Sequence, residues 1–445
     1  MSGEVRGSAA NGARAAMIGV CDFDGVLRGK HVMADDVLDG DKLIKFSEAV
    51  LAWDCADQVI PATVTQKPTS AFADADLRIL SRTGRPVSPD RRQYLYLAEF
   101  VGAHESICPR GVLRKVLRRA ADHGYGCTAG FEFEFVLFKE TAETIDGKPF
   151  DQWTPLTHGP FGYSVARAVA HNELFDEIRV LCKNAGIPLS GLHFETGPGV
   201  IEAALRHCDA LDAADRAVIF KSMIKSWAQT RGLMATFMAK VSENWPGQSG
   251  HIHISMSSGG ENLFYDRETN RNVSKAMRQF VGGQLKYMKE FCVLAAPNVN
   301  SYKRLRPGYW APTCPSWGLD NRSCAVRVIP GEPAAHRIEY RLSGADVNPY
   351  LALSCAIGSG LLGIEEDVGL TAPVAGDASA LNCAAAERLP QDLSEATGRF
   401  VQSPEAVDLF GGEFVEAFSS SRRWEWEVVQ HRVTDFERQR YFEII

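Results

Sequence analysis

The segment Gly130-Phe-Glu-Phe-Glu-Phe135 constrains this chain more than any other. Its alternation has the period of a β-strand, so Phe131, Phe133 and Phe135 face one way and Glu132 and Glu134 the other. Three phenylalanines in register call for a core behind them, and the opposite face then displays two acids side by side. Taken alone, the segment fits equally well an edge strand with two solvated glutamates.

Three further segments carry the same kind of chemistry. Glu195-Thr-Gly-Pro-Gly-Val-Ile-Glu202 sets two acids on either side of a Gly-Pro-Gly turn that lets them converge. His251-Ile-His253-Ile-Ser255 alternates, placing both histidines on one strand face as metal ligands often are. Arg337-Ile-Glu339-Tyr-Arg341 repeats the pattern with three charges on one face. Individually these fit a surface turn, satisfied core histidines and a cross-strand ion-pair ladder. Together they demand compensation, because two carboxylates about 4 Å apart repel by roughly 4 kcal/mol at an effective dielectric near 20. Divalent cations supply it, and ligands dominated by carboxylate oxygen favour Mg²⁺ or Mn²⁺ over zinc or copper. The basic complement lies in Asn300-Ser-Tyr-Lys-Arg-Leu-Arg-Pro-Gly-Tyr-Trp-Ala-Pro312 and in Arg322 and Arg327. A planar guanidinium beside a divalent cation suits phosphoryl groups. No GxxxxGK[ST] loop is present, which excludes a P-loop nucleotide site.

Bulk properties narrow the class. A chain of 445 residues has room for two domains, and its net charge of −7 with 48 basic against 55 acidic residues argues against nucleic acid as a partner. Residues 1–15 read as a flexible tail without a signal peptide, and the apolar stretch Tyr350–Ile364 is too short and polar to span a membrane. Eleven cysteines without a CxxC pair predict reduced, buried thiols, no structural zinc and a cytoplasmic protein. Residues 16–108 open with a hairpin over Ala16–Val32 turning at Asp24-Gly25, and continue as short strands. A second domain, 109–445, starts with a helix over Arg110–His123. Strands at Phe131–Phe135, His251–Ser255, Ala325–Pro330 and Arg337–Leu342 alternate there with helices near Glu173–Asn184, Ala214–Arg231 and Lys275–Leu294. The class is α+β, with Leu370–Ala386 as a surface connection.

In this order, Gly25-Val-Leu-Arg-Gly-Lys30, the Glu-Phe-Glu strand, Gly197-Pro-Gly199 before Glu202, His251-Ile-His253, Asn300-Ser-Tyr-Lys-Arg304, Asn321-Arg-Ser323 and Arg337-Ile-Glu-Tyr-Arg341 followed by Asn348-Pro-Tyr350 resemble the glutamine synthetase family. The likeness runs from about Val20 to Phe442. It implies a β-grasp N-terminal domain, a catalytic domain built on a curved antiparallel sheet forming a funnel, and a homo-oligomeric double ring with active sites between subunits. It also implies ATP and L-glutamate as substrates and two or more Mg²⁺ or Mn²⁺ ions per site. By position, Glu134, Glu195 and Glu202 correspond to one metal site and Glu132, His251 and Glu339 to the other. Arg304, Arg341 and Gly247, with Glu134, correspond to the glutamate site; Ser255, Arg322, Arg327 and Arg337 correspond to the ATP site. Arg304 and Arg322 also count among the catalytic groups, and Asp54 is the counterpart of an aspartate that reaches a neighbouring subunit to assist deprotonation of the nucleophile.

The chain departs from the family where ammonia-using members carry Pro-Gly-Tyr-Glu-Ala-Pro, since this flap reads Pro307-Gly-Tyr-Trp-Ala-Pro312. Trp310 replaces the acid. Together with Trp317-Gly-Leu-Asp-Asn-Arg322 and Gly197-Pro-Gly-Val200, this resembles the branch that joins glutamate to organic amines. The expectation is an ATP-dependent glutamate–amine ligase for a small amine, the alternatives being a glutamine synthetase that uses ammonia and an inactive structural relative.

Overall fold

The computed structural model describes residues 15–33, 37, 42–61, 72–87, 93–381, 383–384 and 387–445. Residues 1–14 of the expected tail lie outside them, and Ala15 already belongs to a strand. The expected hairpin forms from β1 (Ala15–Cys21) and β2 (Leu27–Met33), with Gly25 supplying the positive φ of 79° that its turn requires. With β3 (Leu43–Ser47), β4 (Asp74–Ile79), β5 (Arg85–Pro86) and β6 (Tyr94–Phe100) it makes a sheet of order β2-β1-β6-β4-β3, β5 lying on β6. Among the described residues of this sheet only the β1–β6 pairing is parallel.

The larger sheet contains β7 (Tyr125–Phe138), β8 (Leu189–Phe194), β9 (Val200–Leu205), β10 (Cys208–Asp209), β11 (Met234–Thr236), β12 (Gly250–Ser258), β13 (Glu261–Asn262), β14 (Trp317–Leu319), β15 (Val326–Ile329) and β16 (Arg337–Tyr340). Its main path runs β14-β15-β16-β12-β7-β9-β8 and curls into a half-barrel. The Phe-Glu strand is therefore interior to the sheet, with β12 on one side and β9 on the other. This removes the edge-strand alternative. Phe131, Phe133 and Phe135 are fully buried behind it, where Phe133 stacks on Phe220 of the helix Ala210–Thr230 at 6.3 Å and Phe135 meets Phe237 at 5.3 Å.

Two helices complete the core beneath the sheet. Pro349–Glu365 is apolar around its circumference because it is buried throughout, not because it spans a bilayer. Its small residues let it cross Lys275–Tyr287 closely, so that a Cβ on Gly283 would come within 2.5 Å of Gly363 Cα. The second helix was expected to reach Leu294; instead it stops at Tyr287, and a separate turn of helix covers Cys292–Ala295. Asn348 caps the buried helix by accepting from the Tyr350 and Leu351 amides, while its amide nitrogen donates to Asp22 O at 2.8 Å, tying the first sheet to the core. Buried Arg110 bridges Glu99 of β6 and Asp215 of the helix Ala210–Thr230. Among the described residues no helix is long and apolar enough to cross a membrane.

One expectation fails outright. Cys314 and Cys383 form a disulfide across 69 residues of sequence, their Cα atoms 6.5 Å apart. Nothing in cysteine spacing foretold it, because the pairing exists only once the connection from Leu370 has folded back along the segment after the flap. The other nine cysteines are free thiols, and most of them are buried.

Candidate active site

The acids and histidines converge because four neighbouring strands present alternate side chains to one face. Glu132 of β7 stands opposite His251 of β12, and Glu339 of β16 stands opposite His253. One ligand atom from each of Glu132, His251 and Glu339 lies within 4.8 Å of the other two. His251 Nδ1 is 3.2 Å from Glu339 Oε1 and 3.9 Å from Glu132 Oε2, while its Nε2 is buried without a hydrogen-bond partner. Burial, then the Arg341 guanidinium, depresses the imidazole pKa well below its usual value and favours the neutral ligand form. His253 lies behind this group, receiving Arg337 Nε at Nδ1 and placing Nε2 3.0 Å from Glu132 Oε1.

A second group forms at the other side of β7. Glu195 and Glu202 converge across the Gly-Pro-Gly turn, and the third member within 4.8 Å is His193, not Glu134. His193 Nε2 lies 3.2 Å from Glu195 and 3.7 Å from Glu202. Its ring stacks under Tyr163 at 4.3 Å, a residue held at φ 56°. Sequence reasoning missed His193, although its place two residues before Glu195 on the same strand end carried the signal. Glu134 faces Glu202 across the β7–β9 ladder, accepts the Ser249 amide at 2.5 Å and meets the field of Arg304. Burial dominates and pushes its carboxyl up to about 7.

The acids do not share one electrostatic environment. Burial and the neighbouring Glu132, Glu134, Glu195 and Glu339 push the Glu202 carboxyl up to about 9. Burial acts on Glu339 in the same sense, but the Arg341 and Arg327 guanidiniums that donate to it outweigh burial and hold that carboxyl well below the usual range. Carboxylate oxygens fit hard divalent cations in both groups, and in the first the His251 Nε2 is in addition buried without a partner.

The expected basic residues surround the acids in different ways. Arg327 Nη1 donates to Glu339 at 2.9 Å, and Arg341 Nη1 donates to the same carboxylate, leaving Arg341 Nε buried and unpartnered. Arg304, only 3% exposed, is held by the carbonyls of Leu342 at 2.9 Å and Arg341 at 3.2 Å; burial lowers its pKa to about 10. Gly247 lies against it, with room for no side chain, since a Cβ there would sit 2.6 Å from Arg304 Cγ. Arg322 is exposed on the loop between β14 and β15, and the Ser255 hydroxyl is spent on the His336 carbonyl at 3.3 Å. Trp310 sits at the flap tip, 74% exposed and at φ 56°. Its neighbour Tyr309 anchors the flap, donating to Glu243 O at 3.1 Å beneath the Lys240 ammonium. Asp54 lies with the helix Gly412–Gln430, where its carboxylate accepts the Ala56 and Gln58 amides and the Trp424 indole N–H at 2.9 Å.

A curled sheet, antiparallel except for the β14–β15 pair, carries two candidate metal-ligand groups of carboxylates and imidazole with arginines around them, an arrangement that fits phosphoryl chemistry supported by divalent cations. Comparisons with known proteins place it more narrowly. The glutamine synthetase catalytic-domain family matches residues 106–441. Type-1 glutamine synthetase 2 of Dictyostelium discoideum is 38% identical over 95% of this chain and 82% of its own length. The glutamate–isopropylamine ligase of a Pseudomonas species is 35% identical over 96% of this chain and 95% of its own. A solved GmaS/ADP complex superimposes with a TM-score of 0.82 at 26% identity, each chain covered to 97%. The chain belongs to the glutamine synthetase family and is an ATP-dependent carbon–nitrogen ligase of that family.

Proposed function

We propose that this enzyme joins the γ-carboxylate of L-glutamate to an organic amine through a γ-glutamyl phosphate, in a two-domain chain divided near residue 109. The observation that carries the choice of amine is Trp310, whose indole stands exposed on the anchored flap where ammonia-using relatives carry a glutamate. An indole offers no carboxylate to hold ammonium and a broad apolar surface for an alkyl or aromatic group. The matched relatives that act on isopropylamine and, at 34% identity, form γ-glutamylethanolamide in Streptomyces coelicolor agree with this reading. Ammonia as the acceptor is the second reading, favoured by the Dictyostelium relative's name and its higher identity.

In this account Arg304 and Arg341 hold the substrate's carboxylates, the unpartnered Arg341 Nε being one donor still available. Gly247 keeps that wall open, and Arg322, Arg327 and Arg337 surround the transferred phosphoryl group with Ser255 near the nucleotide. Glu132, His251 and Glu339 would hold one Mg²⁺ or Mn²⁺, and Glu195 and Glu202 with His193 or Glu134 the other, which would supply positive charge to offset that of the phosphate oxygens. An aliphatic amine of pKa about 10.4 is only about one part in 10³ to 10⁴ free base at pH 7, so deprotonation is part of the barrier. Asp54 is assigned that role toward a neighbouring subunit of a ring-shaped oligomer, its three accepted hydrogen bonds setting its position. Replacing Trp310 by Glu tests the choice of acceptor: ammonia should gain relative to the preferred amine, and an unchanged ratio would show that the flap residue does not select the nucleophile.

A further inference from the structure

The segment leaving the flap is laced to one stretch of chain. Leu389 N donates to Thr313 O at 3.0 Å, Trp317 Nε1 to Thr371 O at 2.9 Å, Val374 N to Trp317 O at 2.9 Å and Ala378 N to Ser323 Oγ at 2.8 Å. Residues 313–323 thus follow Trp310 in the chain and carry Arg322, with the connection folded along them. Every one of these ties is a single hydrogen bond except the Cys314–Cys383 disulfide, which joins the flap's exit to the connection only four residues beyond Trp310. Trp310 at the flap tip is highly exposed and at positive φ. Tyr309 fastens one stem and the disulfide fastens the other.

We infer that Cys314 and Cys383 form a reversible redox site that sets the mobility of the flap and, on the reading that the flap selects the amine, the affinity for that amine. Cys314 is 4% exposed and Cys383 is half-buried, so exchange proceeds at Cys383. A thiolate of a dithiol reductant attacks Cys383 Sγ, the protein S–S bond breaks, and Cys314 leaves as a thiolate that takes up a proton. The reductant's second thiolate then attacks the mixed disulfide and releases Cys383, so two electrons pass to the protein and the reductant ends as its own disulfide. A low-molecular-weight disulfide such as oxidised glutathione reverses the change, yielding two thiols per bond formed. Once the tether is open, the connection keeps its hydrogen bonds and the packing of Leu370 and Leu389 on the core, but the covalent tie next to the flap is gone and the flap's second stem is loosened. The cost falls on the amine rather than on ATP, because Tyr309 and the strand-borne Arg327 and Arg337 keep their contacts, and the Arg322 loop keeps its own ties, Asn321 Nδ2 to Gly376 O at 2.8 Å and Ala378 N to Ser323 Oγ at 2.8 Å.

The full-length enzyme would be equilibrated with oxidised glutathione or with the dithiol dithiothreitol, and three quantities measured. Peptide mapping without reduction should recover the linked Cys314–Cys383 peptide from the oxidised sample only. Chymotryptic cleavage after Trp310 should quicken at least threefold on reduction, and this readout needs no turnover. The KM for the preferred amine should rise at least threefold on reduction with the KM for ATP unchanged, while Cys314→Ser and Cys383→Ser give the reduced value in both buffers. Absence of the linked peptide, or cleavage and KM for amine alike in both states, would overturn the inference. If ammonia proves the better acceptor while cleavage still follows the redox buffer, the tether stands and the amine reading falls.

Discussion

Glu132 and His251 are directly opposed across the β7–β12 ladder, and this one register places a carboxylate and an unpartnered imidazole nitrogen on the same open face. A one-residue slip of β12 would turn His251 into the phenylalanine core and bring Ile252 to the site. The phenylalanines that drive the sheet's packing therefore also set the register of its ligands.

Removing ligands from the two groups separates them. Glu339→Gln and His193→Ala should each weaken one of two Mn²⁺-binding events by roughly 10- to 100-fold and leave the other near its original affinity. Calorimetric titration of Mn²⁺ into the unliganded enzyme reads both. If His193→Ala changes neither event while Glu134→Gln weakens one, Glu134 is the ligand and the proximity of His193 to Glu195 is incidental.

The narrow space at Gly247 gives a second prediction. Gly247→Ala must displace Arg304, whose stem lies 2.6 Å from the new methyl group, and the carbonyls of Leu342 and Arg341 leave that guanidinium little freedom. The KM for glutamate should rise by about tenfold or more, the loss of roughly 1.4 kcal/mol of binding, with the KM for ATP little changed. Equal increases in both would indicate general disruption.

Much of this site was legible because period-two patterns in Phe131–Phe135, His251–Ser255 and Arg337–Arg341 state which side chains share a face. What strand patterns do not encode is which of several nearby groups completes a set. Glu134 and His193 both border Glu202, and it is His193 that the fold brings within 4.8 Å of both Glu195 and Glu202. The helix from Lys275 was read too long because Met288–Phe291 continue an apolar pattern through a turn. The Cys314–Cys383 bond depends on a 69-residue excursion that no local rule governs.

Lys221 makes a prediction about stability. Its ammonium is buried against the Val347 carbonyl and the rings of Phe133 and Phe237, and burial lowers its pKa to about 7. The unfolded chain has a lysine pKa near 10.4, so between about pH 7 and pH 10.4 the unfolded state binds the extra proton. The penalty is fully present below about pH 7 and fades as pH rises through that window. Relative to Lys221→Met, the wild type should gain up to about 1.4 kcal/mol per pH unit there, read by urea denaturation at a series of pH values. A difference independent of pH would place the lysine in a wetter environment.

The central claim, an organic amine as acceptor, is tested most directly by phosphate release from ATP with L-glutamate and Mg²⁺ or Mn²⁺ across alkyl, hydroxyalkyl, polyamine and aromatic amines, with ammonia in the same panel. The account predicts that at least one organic amine gives a kcat/KM at least tenfold above that of ammonia; ammonia turning over best would contradict it, and so would no turnover with any acceptor.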